Sequence, residues 1–324
     1  MALVDLHPRG GCGSHAPQTT SCSDPRDPDM PNDTRPFRSL LYIPGSKTRA
    51  LEKAQTLPTD GIIFDLEDAV APDMKAEARG LVADILRKGN FGPRALMVRI
   101  NGFDTDWAID DLDTILACAP EAILLPKVNS AADIRRLTEI LDQHPNCAET
   151  KVWAMMETPL GMLNAADIAA APRMNGMVFG SNDLVKDLGA QHTPDRTPLV
   201  TAMGLMVLAA RAHGLVAIDG VYNAFKDDDG LRAQCVQGRA LGFDGKSLIH
   251  PAQLAPTNEV FAPSDAEVEL ARRQMAAFRE AEAEGRGIAV VDGQIVENLH
   301  IVTAKALLAR AEAILAADAK GNAA

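Results

Sequence analysis

A chain of 324 residues with 47% hydrophobic content can bury one sizeable core with an appendage, or two modest ones. Its formal net charge of −12 opposes nonspecific attraction to nucleic acid or anionic membranes, which leaves small molecules or sister subunits as partners. No uncharged apolar stretch approaches the roughly 18 residues of a membrane span and no apolar signal core opens the chain, while five cysteines without paired metal spacing fit a reducing cytoplasm.

Residues 1–35 are rich in Gly, Ser, Thr, Pro and Asp, cannot offset ordering entropy by burial, and read as a disordered N-terminal segment. From Arg38 onward apolar runs alternate with amphipathic stretches, the pattern of βα units on a parallel sheet. The spacing predicts strands over 39–43, 61–65, 95–100, 122–126, 152–156, 176–179, 216–219 and 245–249. Helices are predicted over 48–57, 74–88, 106–117, 131–143, 161–170, 199–212, 228–241 and 252–261. Eight such pairs predict an α/β fold, a (β/α)8 TIM barrel, over 36–262. A doubly wound sheet would more often carry a Gly-rich phosphate turn after its first strand, and none is present. After Pro263 come a helix over 266–284, two short strands around Asp292-Gly293 and a helix over 298–317: a C-terminal helix-hairpin-helix extension spanning 263–324.

Polar residues recur where the strands end, on the face where barrel enzymes keep their chemistry. Asp65, Glu67 and Asp68 follow the second strand, Arg99 and Asn101 the third, Pro126 and Lys127 the fourth, Glu157 the fifth and Asp183 the sixth. Glu157 and Asp183 offer hard oxygen ligands suited to Mg2+; the competing reading makes this pair N-caps of the helices that follow. Arg99 can grip a carboxylate through its planar fork, or instead form a rim ion pair with Asp65 or Glu67. Asp65, Glu67 and Asp68 cannot all point inward, so some organise the loop, Arg99 or metal-bound water. Lys75, Arg79 and Arg38 place positive charge towards one side of the rim, and His250 before Pro251 has a capping or loop role open beside a catalytic one.

Read together, Arg38-Ser39-Leu40-Leu41-Tyr42-Ile43-Pro44-Gly45, Asp65-Leu66-Glu67-Asp68-Ala69-Val70-Ala71-Pro72, Val98-Arg99-Ile100-Asn101, Leu125-Pro126-Lys127, Met156-Glu157-Thr158-Pro159, Gly180-Ser181-Asn182-Asp183-Leu184 and Ile249-His250-Pro251 resemble the citrate lyase beta subunit-like CoA-ester lyases of the HpcH/HpaI aldolase superfamily. The resemblance runs from about Arg38 to the last helix and includes malyl-CoA and citramalyl-CoA lyases. It implies a barrel that binds Mg2+ through Glu157 and Asp183, with Arg99 holding the carboxylate of a 2-oxo acid. Arg38, Lys75, Arg79, Arg99, Pro126 and Lys127 are then candidate substrate or CoA contacts, and Arg99, Glu67, Asp68 and Glu297 candidate catalytic residues. In standalone members the C-terminal extension closes as a lid over a site, often a neighbour's, and carries an acid/base aspartate. Glu297 stands at that position here, where the alternative reading is a helix-start glutamate. The lid implies a free CoA thioester as substrate and a homo-oligomer, a trimer or hexamer.

The expected activity is Mg2+-dependent, reversible cleavage of a short 3-hydroxyacyl-CoA, such as malyl-CoA, methylmalyl-CoA or citramalyl-CoA, to acetyl- or propionyl-CoA and glyoxylate or pyruvate. The alternatives are a thioesterase on the same esters, a CoA-independent pyruvate aldolase, and a noncatalytic CoA-binding protein.

Overall fold

The computed structural model describes residues 35–321. The expected disordered segment therefore lies outside the described residues, save Arg35, and so do Cys12 and Cys22.

In chain order the barrel elements begin with β1 (Ser39–Pro44), α1 (Thr48–Ala54), β2 (Gly61–Asp65), α2 (Lys75–Lys88), β3 (Ala95–Arg99), α3 (Ala108–Leu116), β4 (Ala122–Leu125) and α4 (Ala131–Asp142). They continue with β5 (Lys151–Met156), α5 (Pro159–Leu163), α6 (Ala165–Ala169), β6 (Met174–Phe179), α7 (Ser181–Asp187), α8 (Val200–Ala212), β7 (Val216–Asp219), α9 (Asp228–Leu241), β8 (Gly245–Leu248) and α10 (Leu254–Phe261). Then follow α11 (Asp265–Ala283), β9 (Ala289–Val291), β10 (Gln294–Val296) and α12 (Asn298–Gly321). All eight expected strands pair in parallel and close, β8 returning to β1, as the (β/α)8 TIM barrel requires.

Side-chain alternation divides each strand between two cores. Leu40, Tyr42, Ile63, Met97, Leu124, Trp153, Met155 and Val178 fill the barrel interior. Their neighbours Leu41, Ile43, Ile62, Phe64, Val98, Ile123, Leu125 and Met177 face the helical shell. Phe37 packs on Trp153 with ring centroids 5.4 Å apart and plugs the N-terminal end. Gly176 makes room for that indole, because a Cβ there would stand 2.4 Å from the ring.

Two departures from the sequence reading have local causes. The helix expected over 161–170 is two short helices, α5 and α6, broken at Asn164, whose side-chain amide donates to Asn129 O at 2.8 Å. Gly161 lowers the helix propensity of the five-residue α5, while Pro159 at its first position fixes where it starts. The second is α7, a seven-residue helix that the apolar pattern did not reveal; it begins directly after β6 and holds Asp183 in its first turn.

The helix-hairpin-helix extension forms as expected, with the tight turn at Asp292-Gly293. Phe278, Ala281, Ala289, Val296 and Ile301 give it a small core of its own. Its far end docks against the N-terminal end of the barrel: Asp318 pairs with Arg38 at 2.7 Å, and Arg310 donates to Asp244 O at 2.6 Å.

Candidate active site

Three strands carry their inward parity into charge. Ile63, Met97 and Met155 face the barrel interior, so Asp65, Arg99 and Glu157, each two residues on, emerge on the same side at the carboxyl-end rim. Arg99 donates from Nε to Asp65 Oδ1 and from Nη2 to Asp65 Oδ2, both at 2.7 Å, a planar two-bond fork. Asp65 in turn accepts from the backbone N–H groups of Glu67 and Ala69, which shapes the loop after β2. Burial opposes ionisation of Asp65, but the Arg99 charge outweighs it and holds the carboxyl below its ordinary range. Of the two readings open for Arg99, the rim ion pair with Asp65 and Glu67 is formed, and it leaves only Nη1 outside the fork.

Glu67 is buried, and although its Oε2 approaches Arg99 Nη1 to 2.8 Å, neither carboxylate oxygen has a donor in hydrogen-bond geometry. Its Oε1 lies 3.5 Å from Lys127 Nζ. Burial pushes the Glu67 carboxyl up to about 7, with Arg99 pulling against it and Asp68 and Asp65 adding to the rise. Glu157 is also buried and accepts from the Lys127 N–H at 2.7 Å. Lys127 has φ 51°, a left-handed conformation following Pro126, and that turn aims its N–H at Glu157. Burial, then the neighbouring Glu67, pushes Glu157 up to about 8; Asp183 adds to the same effect.

Neither acid is an N-cap. Thr158 takes the cap of α5, accepting from Gly161 N at 3.0 Å, and Gly180 occupies the cap position of α7. Glu157 and Asp183 are thereby free for another role, and a Cβ on Gly180 would stand 2.3 Å from Glu157 Cβ, so only glycine lets α7 approach. A cleft of about 190 Å3 opens here, lined among others by Tyr42, Asp68, Arg99, Met155, Asp183 and Asn223. A larger cavity of about 480 Å3 lies at the opposite barrel end against Arg38, Asp60 and α12. The smaller one is the candidate site, because it opens at the strand carboxyl ends and is lined by Asp65, Asp68, Arg99 and Asp183; Glu67 and Glu157 are buried and stand outside its lining.

The residues present suit a hard divalent cation. Two acids, Glu67 and Asp183, stand close enough to raise Glu157, and two buried oxygens of Glu67 have no donor. Among the described residues no group of three or more His, Cys, Asp or Glu side chains is placed to hold a metal ion together.

Several expected contacts are corrected. Arg38 precedes β1 and stands at the N-terminal end of the barrel, held by Asp60 at 2.8 Å and by Asp318, so it is remote from the rim where a CoA contact was expected. Lys75 is buried with Nζ donating to Leu66 O and Glu67 O, both at 2.7 Å; it braces the loop after β2 rather than presenting charge to a phosphate. Arg79 is buried against Asp111 at 2.9 Å, and Asp111 also accepts from the Asn101 amide. Glu297 is exposed at the start of α12, its N–H donating to His300 Nδ1, and the cleft is lined without it or any other residue of the extension. Within one chain the extension is thus not a lid over its own site. His250 caps the following turn, accepting from Ala252 N at 3.1 Å. Asp68 lines the cleft mouth 3.5 Å from Arg99 Nη1.

Sequence reasoning passed over Tyr42, Gly180, Asn182 and Asn223, all of which line the cleft. Tyr42 carried a usable signal, since it shares the inward parity of Leu40 on β1. The two asparagines, which bond each other at 2.9 Å between the first turn of α7 and the loop after β7, carried none.

The profile described as HpcH/HpaI aldolase/citrate lyase matches residues 38–251. The chain is 60% identical over 287 residues to a (3S)-malyl-CoA thioesterase of Cereibacter sphaeroides (strain ATCC 17025 / ATH 2.4.3), covering 89% of this chain and 99% of that one. It is 34% identical over 285 residues to citrate lyase subunit beta of Escherichia coli (strain K12), covering 86% and 94%. The crystal structure of protein CitE from Mycobacterium tuberculosis in complex with magnesium, acetoacetate and coenzyme A superposes with a TM-score of 0.72 at 31% identity, covering 86% of this chain and 99% of that one. Family profile, near-full-length relatives and barrel architecture agree: the chain is an enzyme of the HpcH/HpaI aldolase/citrate lyase family.

Proposed function

We propose that the chain is a Mg2+-dependent thioesterase that hydrolyses a short 3-hydroxy-dicarboxyl-CoA ester of the malyl-CoA type. This reverses the order expected from sequence, which put carbon–carbon cleavage first and hydrolysis second. The observation that carries the reading is 60% identity, over essentially the whole of the relative, to a protein named (3S)-malyl-CoA thioesterase. Magnesium in the CitE complex supports the metal, and the donor set at Glu157 and Asp183 suits it.

A cation held by Glu157 and Asp183 would act as a Lewis acid towards a coordinated oxygen. Arg99, fixed by Asp65, offers Nη1 to the substrate carboxylate. Glu67 is the proton-handling group: its oxygens lack donors, and a carboxyl pushed up to about 7 can take a proton from water near neutral pH. Water adds to the thioester carbonyl, the C–S bond breaks, and the proton removed from water is returned to the thiolate of CoA. Lys127, 3.5 Å from Glu67, favours the ionised form of that base.

Cleavage to acetyl-CoA and glyoxylate is the second reading, favoured by the citrate lyase subunits among the relatives. Incubation with Mg2+ and malyl-CoA, followed by mass spectrometry, separates them. The expected products are malate and free CoA, lost on chelation of the metal. Acetyl-CoA and glyoxylate without free CoA would reject hydrolysis in favour of the lyase.

A further inference from the structure

Tyr42 faces the barrel interior from β1, one layer below Asp65 and Arg99, and lines the cleft. Its ring lies against the Arg99 guanidinium, 4.8 Å from carbon to centroid. Its hydroxyl donates to Met155 Sδ at 3.4 Å, and a thioether is a weak acceptor. Phenylalanine would supply the same ring without burying a hydroxyl against so poor a partner, an arrangement that is unfavourable for folding. Val178 and Ile218 belong to the same apolar cluster, with Val221 packed against it.

On the guanidinium stacked against that ring, Nε and Nη2 are taken by Asp65, while Nη1 approaches Glu67 Oε2 to 2.8 Å without hydrogen-bond geometry. Two stacked residues that both line the cleft therefore each hold an incompletely used donor, one cationic and one neutral. A carboxylate has two acceptor oxygens to meet them. Burial raises the phenol's pKa, with nearby Arg99 opposing and Asp65, Glu157 and Glu67 adding to the rise, which favours the neutral donor form.

We propose that Tyr42 is a substrate-binding residue whose hydroxyl donates to the free carboxylate of the acyl group, selecting dicarboxylic over monocarboxylic 3-hydroxyacyl thioesters. The proposal rests on the thioester reading for the identity of the acyl group, and the contact itself is tested without turnover. Tyr42→Phe keeps the ring on Arg99 and removes only the hydroxyl.

The test is calorimetric titration of L-malate, and separately 3-hydroxybutyrate, into Mg2+-loaded wild type and Tyr42→Phe, with thermal unfolding of both proteins. Loss of a hydrogen bond to a charged group predicts malate binding weakened about tenfold or more. Binding of 3-hydroxybutyrate should not change, and the variant should unfold at the same temperature or higher. Equal malate affinity in the two proteins, no malate binding to wild type, or an equal loss for 3-hydroxybutyrate would each overturn the proposal. Weakened malate binding in a protein that leaves malyl-CoA intact would uphold the contact and reject the hydrolase.

Discussion

In the proposed function Arg99 combines fixation with recognition. Its fork is spent on Asp65, so a lysine could keep the charge but not both bonds, nor the planar contact with Tyr42. Arg99→Lys should lower kcat/KM for malyl-CoA by about 10²-fold, roughly 3 kcal/mol, measured by steady-state release of CoA. Glu157 behaves oppositely in the metal-free protein: it is buried and pushed up to about 8, so its charge opposes folding. Glu157→Gln should leave the metal-free unfolding temperature unchanged or raised. It should abolish the stabilisation by Mg2+, which in the wild type amounts to about 2.7 kcal/mol at a hundred times the dissociation constant. Thermal unfolding with and without metal checks both halves. Rim position and inward parity made Asp65, Arg99 and Glu157 legible in the sequence, whereas the partners of Arg38, Lys75 and Arg79 were not. A cation in a sequence does not reveal whether a carbonyl or carboxylate from a distant segment already occupies it.

At the level of elements, local chemistry predicted well where it was not contested. The strand runs appeared within a residue or two of expectation because both faces of each strand are buried and nearly every position is apolar. Helix α7 escaped because its seven residues begin directly after β6, too short for a periodic apolar stripe. Turns store some strain: exposed Ala119, before Pro120, has φ 48°. Ala119→Gly should therefore stabilise the protein by about 0.5–1 kcal/mol in urea unfolding, since glycine adopts that conformation freely and no buried methyl is lost. At Lys127 the same strain has a use, because it directs the N–H onto Glu157.

Across the whole molecule, a buried triad secures the last seam of the barrel. Asp219, outward-facing at the end of β7, accepts from Lys246 Nζ on β8 at 2.9 Å and from Arg196 Nη1 at 2.7 Å, tying the segment after α7 to the barrel wall. Asp219→Asn should cost about 3–5 kcal/mol in urea unfolding, because it leaves two buried cations without their anion. Burial opposes its charge, but Lys246 and then Arg196 hold the Asp219 carboxyl below its ordinary value of 3.8. The unfolded chain therefore binds this proton more tightly than the folded one. The contribution is complete above the ordinary value and is lost as pH falls below it through the folded pKa. Acid unfolding followed by circular dichroism should accordingly be less steep in the variant. At the barrel's other end, the Arg38–Asp318 pair and Arg310 anchor α12.

Sequence by itself determined the (β/α)8 architecture, the extension, and the rim positions of Glu67, Arg99, Glu157 and Asp183, because period-2 burial and strand-end placement are local properties that a linear chain displays. Only the tertiary structure decided which charges were free. It sent Arg38 to the opposite end, gave Lys75 and Arg79 to internal partners, removed the N-cap reading for Glu157 and Asp183, and left Glu297 outside the cleft of its own chain. The physical reason is that ion pairing, desolvation and hydrogen-bond satisfaction depend on groups tens to hundreds of residues apart, as with Arg38 and Asp318, and no spacing along the chain records them.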